Sequence, residues 1–219
     1  MKKIVALLAG GLLAMSAAQA ATVSFSATHA DSTTNWVDTL SLQQFNSALG
    51  TLTSVVFNYG GTITSIFREE SLDAAPATIT VNTAGNLVFG LPISSTLNFL
   101  NSAARNVTAF DGVIDFGGTS GFGPTTVVAT NSGSSTFTSG LASYTGLGTY
   151  GIGVAANASS NATGAGNLIS QINTTAGANI NVTYNFTPVT RQVPEPGSLA
   201  LLGLALAGLG LVRRKSAKA

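Results

Sequence analysis

Near the C-terminal end of the chain, Ile180, Val182, Tyr184 and Phe186 alternate without a break with Asn181, Thr183, Asn185 and Thr187. A period of two puts every second side chain on one face of an extended strand, apolar on one side and polar on the other. The same period recurs at Val55/Phe57/Tyr59, Ile63/Ser65/Phe67, Ala77/Ile79/Val81 and Leu87/Phe89/Leu91. Weaker versions stand at Val23/Phe25/Ala27, Trp36/Leu40/Leu42, residues 107–111, residues 125–129 and Tyr150/Ile152/Val154. Gly60-Gly61 predicts a hairpin turn within residues 51–67. Two segments, 95–105 (Leu97, Leu100, Ala104) and 166–173, read as short helices. Strands spaced about 10–15 residues apart, with Gly and Asn between them, predict an all-β fold. The expected form is a single antiparallel β-sandwich over residues 21–192.

Composition narrows the function. Of 219 residues, 8% are charged and 45% hydrophobic, while Ser, Thr and Asn number 23, 28 and 16. That is too apolar for a disordered chain and too poor in charge for a coiled coil. Cysteine is absent, which excludes disulfides and thiolate metal sites. The formal charge of +1 conceals an uneven distribution. Residues 21–193 hold only Arg68, Arg105 and Arg191 against Asp31, Asp38, Glu69, Glu70, Asp73, Asp111 and Asp115, a net of −4. A mildly acidic body is unsuited to nucleic acid.

Both ends are apolar. Met1-Lys2-Lys3, an apolar run from Ile4, and Ala18-Gln19-Ala20 form the n-region, h-region and A-x-A site of a secretory signal. The expected signal peptide is residues 1–20, cut between Ala20 and Ala21, with the Sec translocon as the export partner. Residues 199–212 consist only of Leu, Ala, Gly and Val, and Arg213, Arg214 and Lys215 follow. Fourteen helical residues reach ~21 Å, so a transmembrane helix over 197–212 would be a thin span, with its basic end 213–219 held on the cytoplasmic side. Before it, Pro194 and Pro196 flank Glu195 and keep the chain extended and accessible to a protease.

Pro194-Glu195-Pro196, the apolar helix and the terminal basic cluster together resemble the PEP-CTERM sorting signal, a domain also labelled as an ice-binding protein C-terminal domain. The resemblance covers residues 193–219. It implies a Gram-negative bacterium that makes extracellular polysaccharide, and processing by an exosortase-type membrane transpeptidase. The body carries two further segments, Leu42-Gln43-Gln44-Phe45 through Leu49-Gly50-Thr51-Leu52, and Phe110-Asp111-Gly112 through Asp115-Phe116-Gly117-Gly118-Thr119-Ser120-Gly121. These resemble the choice-of-anchor E domain, which implies an extracellular domain and brings no catalytic residues with it.

Chemical sites are scarce. Asp111 and Asp115, set among glycines, are weak Ca²⁺ candidates, short of the six to eight oxygens that ion takes. Turn carboxylates accepting backbone N–H bonds are the favoured reading of the pair. Gly146-Leu147-Gly148-Thr149-Tyr150-Gly151 matches G-x-G-x-x-G but leads into a strand, whereas a dinucleotide site needs a helix there. Arg68, Glu69, Glu70 and Asp73 read as a solvated loop; adjacent glutamates on a strand point to opposite faces and do not form a glycosidase pair. His29 is the sole histidine, so a Ser-His-Asp hydrolase would depend on it, and no nucleophile elbow occurs. No cofactor or catalytic residue is expected. The expectation is a non-enzymatic exported surface or matrix protein near extracellular polysaccharide. The alternative is a carbohydrate-binding module or adhesin using Trp36, Tyr59, Tyr144 and Tyr150. A secreted hydrolase ranks below both.

Overall fold

The computed structural model describes residues 20–93, 95–189 and 203–206. Nine strands carry the alternation predicted from the sequence: β1 (Ala21–Thr33), β2 (Trp36–Gln43), β3 (Gly50–Ser71), β4 (Ala77–Phe89), β5 (Ser95–Val107), β6 (Gly121–Phe137), β7 (Thr149–Ala158), β8 (Asn161–Thr163) and β9 (Leu168–Pro188). Two short 3₁₀ turns, Ser47–Leu49 and Leu141–Tyr144, interrupt the loops. The first sheet has the order β1-β9-β3-β6 and the second β2-β7-β4-β5, with β8 added beside β4. All ladders are antiparallel. The inner faces of both sheets meet in one apolar layer, Val55, Phe57, Ile180 and Tyr184 from the first against Leu40, Leu87, Phe89 and Ile152 from the second. The expected sandwich is therefore the observed architecture from Ala21 to Pro188.

Three local expectations fail. Gly60-Gly61 makes no turn, because β3 runs straight through it for 22 residues. Val55, Phe57, Tyr59, Ile63, Phe67 and Glu69 are all buried and share one parity. A two-residue hairpin would have set Thr62 opposite Tyr59 on the same face and reversed that parity. Glycine is required at Gly61 by close packing. A Cβ there would lie 2.2 Å from Leu87 Cδ1 and 2.4 Å from the Gly177 carbonyl oxygen. Facing it, a Cβ on Gly85 would lie 2.6 Å from Ile63 Cδ1, so the sheets approach by seating a large side chain over each glycine.

Residues 95–105 and 168–173 are strand, in β5 and β9, where helices over 95–105 and 166–173 were expected. The spacing of Leu97, Leu100 and Ala104 misled, since Leu97 and Phe99 face the core while Leu100 is exposed. The weak strand expected at 107–111 ends at Val107, where the chain leaves β5 for a loop.

The core divides in two. A smaller apolar cluster of Phe67, Ile79, Val81, Val107, Phe122 and Val127 lies beyond the main one. Fully buried Ser65 and Thr83 carry hydroxyls among these strands. Ser65 Oγ bonds Ser160 and Thr174, and Thr83 Oγ1 donates to the Val127 carbonyl, so the buried hydroxyls are satisfied.

Candidate functional site

The acidic residues expected in solvent are partly interior. Glu69 and Glu70 are both 0% exposed. As adjacent residues of β3 they lie on opposite faces, and different elements cover each. Glu70 is covered by the loop between β5 and β6. Its Oε1 accepts from Ser120 Oγ at 2.6 Å and its Oε2 from the Phe116 N–H at 2.8 Å. Glu69 shares the parity of Phe67. Its Oε2 accepts from Ser170 Oγ, while Oε1 is buried with no partner. Desolvation raises the Glu69 carboxyl above its ordinary value. Arg68 and Asp73 match the solvated reading: Arg68 reaches Gln171 on the surface, and Asp73 lies in the loop that follows β3.

Asp111 and Asp115 do what turn carboxylates do. Asp111 accepts the Val113 N–H at 3.1 Å and the Thr119 N–H at 3.3 Å, and Asp115 accepts the Gly117 N–H at 2.8 Å. The Val113 and Thr119 amides hold Asp111 below the usual carboxylate range. Asp73 receives Gly166 and Asn167 in the same way and is likewise lowered. Among the described residues, no three His, Cys, Asp or Glu side chains gather as a metal site. Both Asp111 oxygens and Asp115 Oδ1 already accept backbone amides.

The His29 side chain meets three others. Its Nδ1 lies 2.7 Å from Asp38 Oδ2 and its Nε2 lies 2.9 Å from Ser32 Oγ. The ring stacks on Trp36 at 3.8 Å, and Trp36 Nε1 donates to the Ala176 carbonyl. The order Asp, His, Ser is that of a hydrolase triad. Its placement differs: Asp38 is 45% exposed, whereas the acid of a triad is buried, and β1 and β2 belong to different sheets. The cluster ties the sheets together at one side of the sandwich. The His29–Asp38 bond lowers the Asp38 carboxyl. Sequence reasoning singled out His29 but no partner for it. Nothing in the spacing of residues 29, 32 and 38 announces a contact between two sheets.

The aromatic platform expected for sugar binding is not formed by the residues nominated. Tyr59 and Tyr144 are buried, Trp36 is engaged by His29, and Tyr150 is half-buried. Tyr150 Oη bonds Tyr184 Oη, whose own proton goes to the Gln43 carbonyl. Burial pushes the Tyr150 hydroxyl far above its ordinary pKa. These rings are core. Residues 146–151 form a turn entering β7, with strand and no helix after it.

The expected signal peptide, apart from Ala20, and most of the tail lie outside the described residues. In the tail the description covers a single helical turn, residues 203–206. Among the described residues no helix is long and apolar enough to cross a membrane. The tail is defined instead by its sequence. Residues 192–215 match the PEP-CTERM protein-sorting motif. The matched span includes Pro194, Glu195 and Pro196 and reaches Arg213, Arg214 and Lys215. No curated protein matches the chain. Two structures of infectious bursal disease virus, of the Gx and Gt strains, align at 11% and 13% identity over 86% and 87% of this chain. Their TM-scores are 0.16 and 0.13, and the chain spans about half of theirs, 47% and 49%.

Proposed function

We propose that this chain is an exported bacterial surface or matrix protein, delivered through its PEP-CTERM tail by an exosortase-type enzyme. The motif at residues 192–215 carries this reading, since such a motif implies export, membrane processing and a place at the cell surface. In this account a signal peptide directs residues 21–192 outward through the Sec translocon. A short helix over 197–212 then holds the precursor in the inner membrane, with Arg213, Arg214 and Lys215 as its cytoplasmic stop. Glu195, between two prolines, is the carboxylate that the enzyme recognises. The body is non-enzymatic, and its likeness to choice-of-anchor E domains rests on its two sequence segments alone. A face rich in Ser, Thr and Asn and poor in charge suits a hydrated polysaccharide neighbourhood.

The test replaces Pro194, Glu195 and Pro196 with alanine in a Gram-negative host that has the sorting enzyme. Membrane and secreted fractions are then immunoblotted. Uncleaved precursor should accumulate in the inner membrane, because helix can extend upstream and the recognised charge is gone. Asp111→Ala should be processed like the parent. Equal processing of the triple variant and the parent would make the tail a permanent anchor and overturn the sorting step.

A further inference from the structure

Antiparallel pairing gathers the strand ends at two poles. At the first, β1 and β3 begin and β9 ends, since Ala21 pairs with Phe186 and Gly50 with Pro188. β6 ends toward it at Phe137, opposite Val55. In the second sheet β2 ends there and β7 begins, with Gln43 opposite Thr149. Phe45, just past β2, packs on Phe186 with ring centroids 5.0 Å apart and so joins the two sheets at this pole. At the second pole β3 ends at Ser71, β4 starts at Ala77, β5 ends at Val107 and β6 starts at Gly121.

The poles differ in chemistry. Arg68, Glu69, Glu70 and Asp73 stand at the second pole, as do Arg105 and the loop acids Asp111 and Asp115. His29, Asp31 and Asp38 flank the turn from β1 to β2, away from the first pole. The connections at the first pole, residues 44–49, 90–94 and 138–148, contain no Asp, Glu, Lys, Arg or His. They expose large apolar side chains instead: Leu49 is 43% exposed, Ile93 72% and Leu147 81%. The second pole also exposes Val113 and Ile114, but these lie between Asp111 and Asp115. The loops that carry Leu49 and Leu147 are bonded to each other. The Phe45 N–H donates to the Tyr144 carbonyl at 2.8 Å and the Gly146 N–H to the Phe45 carbonyl at 2.9 Å. The Asn46 side chain accepts the Ala48 N–H and caps the turn that bears Leu49. Exposed apolar tips without a charge among them mark a surface that meets another apolar phase.

The course of the chain selects that phase. The sandwich ends at this pole, at Pro188, and eight residues, 189–196, separate it from the span expected over 197–212. Fully extended they reach at most about 29 Å. The 22 residues of β3 cover about 70 Å from one pole to the other. A precursor held by that span keeps its charge-free pole near the bilayer, and its acidic pole is the one that anionic lipids repel. We infer, resting on the sorting reading above, that Leu49 and Leu147 seat the body on the bilayer that holds its own tail. Two leucines grip a bilayer weakly by themselves, and the tether makes their contact intramolecular. Severing the tail therefore also frees the body.

The chain has no cysteine, so a single introduced one carries a probe at a unique place. The full-length precursor is expressed in a host without the sorting enzyme and reconstituted into vesicles of phosphatidylethanolamine and phosphatidylglycerol. Leu49→Cys, Leu147→Cys and, at the second pole, Val113→Cys each bear an environment-sensitive fluorophore. The probes at 49 and 147 should shift to the blue and lose emission when nitroxide lipids are added, while the probe at 113 should do neither. Adding Leu147→Asp to the Leu49→Cys precursor should abolish the shift and the quenching, with circular dichroism checking that the fold is intact. Probes at 49 and 147 that stay unquenched, a probe at 113 quenched as strongly, or quenching that survives Leu147→Asp would each overturn the inference and leave the sorting reading standing. A precursor that alkaline carbonate strips from the host membrane would overturn the anchored reading, and the inference with it.

Discussion

Glu69 and Glu70 are neighbours on β3 in opposite electrostatic circumstances. Glu70 has both oxygens occupied by donors of the loop that covers it. Truncation in Glu70→Ala leaves the Ser120 hydroxyl and the Phe116 amide without their partner and should cost about 1–3 kcal/mol, measured by urea denaturation. Glu69 is desolvated with one oxygen unpartnered, and its pKa is raised. A raised carboxyl pKa contributes stability that is complete below the unfolded value and is lost as pH rises through the folded one. Glu69→Gln should therefore gain on the parent as pH rises above the ordinary carboxylate range, read as a growing difference in urea midpoint. Asp38, Asp73 and Asp111 have lowered values and the opposite sign, contributing above the unfolded value and losing that contribution as pH falls through the folded one. The parent–variant difference isolates Glu69 from them. The sequence displays the two acids but not their burial, because the covering Phe116 and Ser120 lie 46 and 50 residues from Glu70.

At the scale of elements, the phase of an alternation says more than the residues that interrupt it. Val55 to Tyr59 and Ile63 to Phe67 share one parity, which the residue numbers alone display, and that parity argues against a two-residue hairpin at Gly60-Gly61. Reading the glycine pair as a turn gave local turn chemistry precedence over phase. The reason for Gly61 lies in the opposite sheet, in Leu87. Gly61→Ala should therefore destabilise by roughly 1–3 kcal/mol, the range for overpacking a filled core. Gly153→Ala, with open space around its would-be Cβ, should stay within about 0.5 kcal/mol of the parent. Thermal melts of the two variants separate a glycine required by packing from a strand glycine with open space beside it. The same lesson covers β9, where residues 166–173 mix helix-like spacing with strand residues. The flanking β1 and β3 ladders decide its conformation, and such pairing overrides a weak local preference.

For the whole molecule, β1 begins at Ala21, the first residue after the expected cleavage site. Maturation there would leave the sandwich's first strand complete, since Ala21 already pairs with Phe186. Replacing Ala18 and Ala20 with bulky residues should block this cut, and N-terminal sequencing of the exported parent should start at Ala21. The all-β class, the faces of most strands and the sorting signal are legible in the order of the residues. Each is written contiguously, as a period of two or as a linear motif that an enzyme reads on an extended peptide. Folding in three dimensions was needed to bury Glu69 and Glu70, to join His29 to Asp38 and Ser32, and to draw the nominated tyrosines into the core. Those outcomes depend on which strands become neighbours. In an antiparallel fold, partners such as Phe45 and Phe186 meet across most of the chain, at ring centroids 5.0 Å apart, through the common burial of their faces and not through any local pattern.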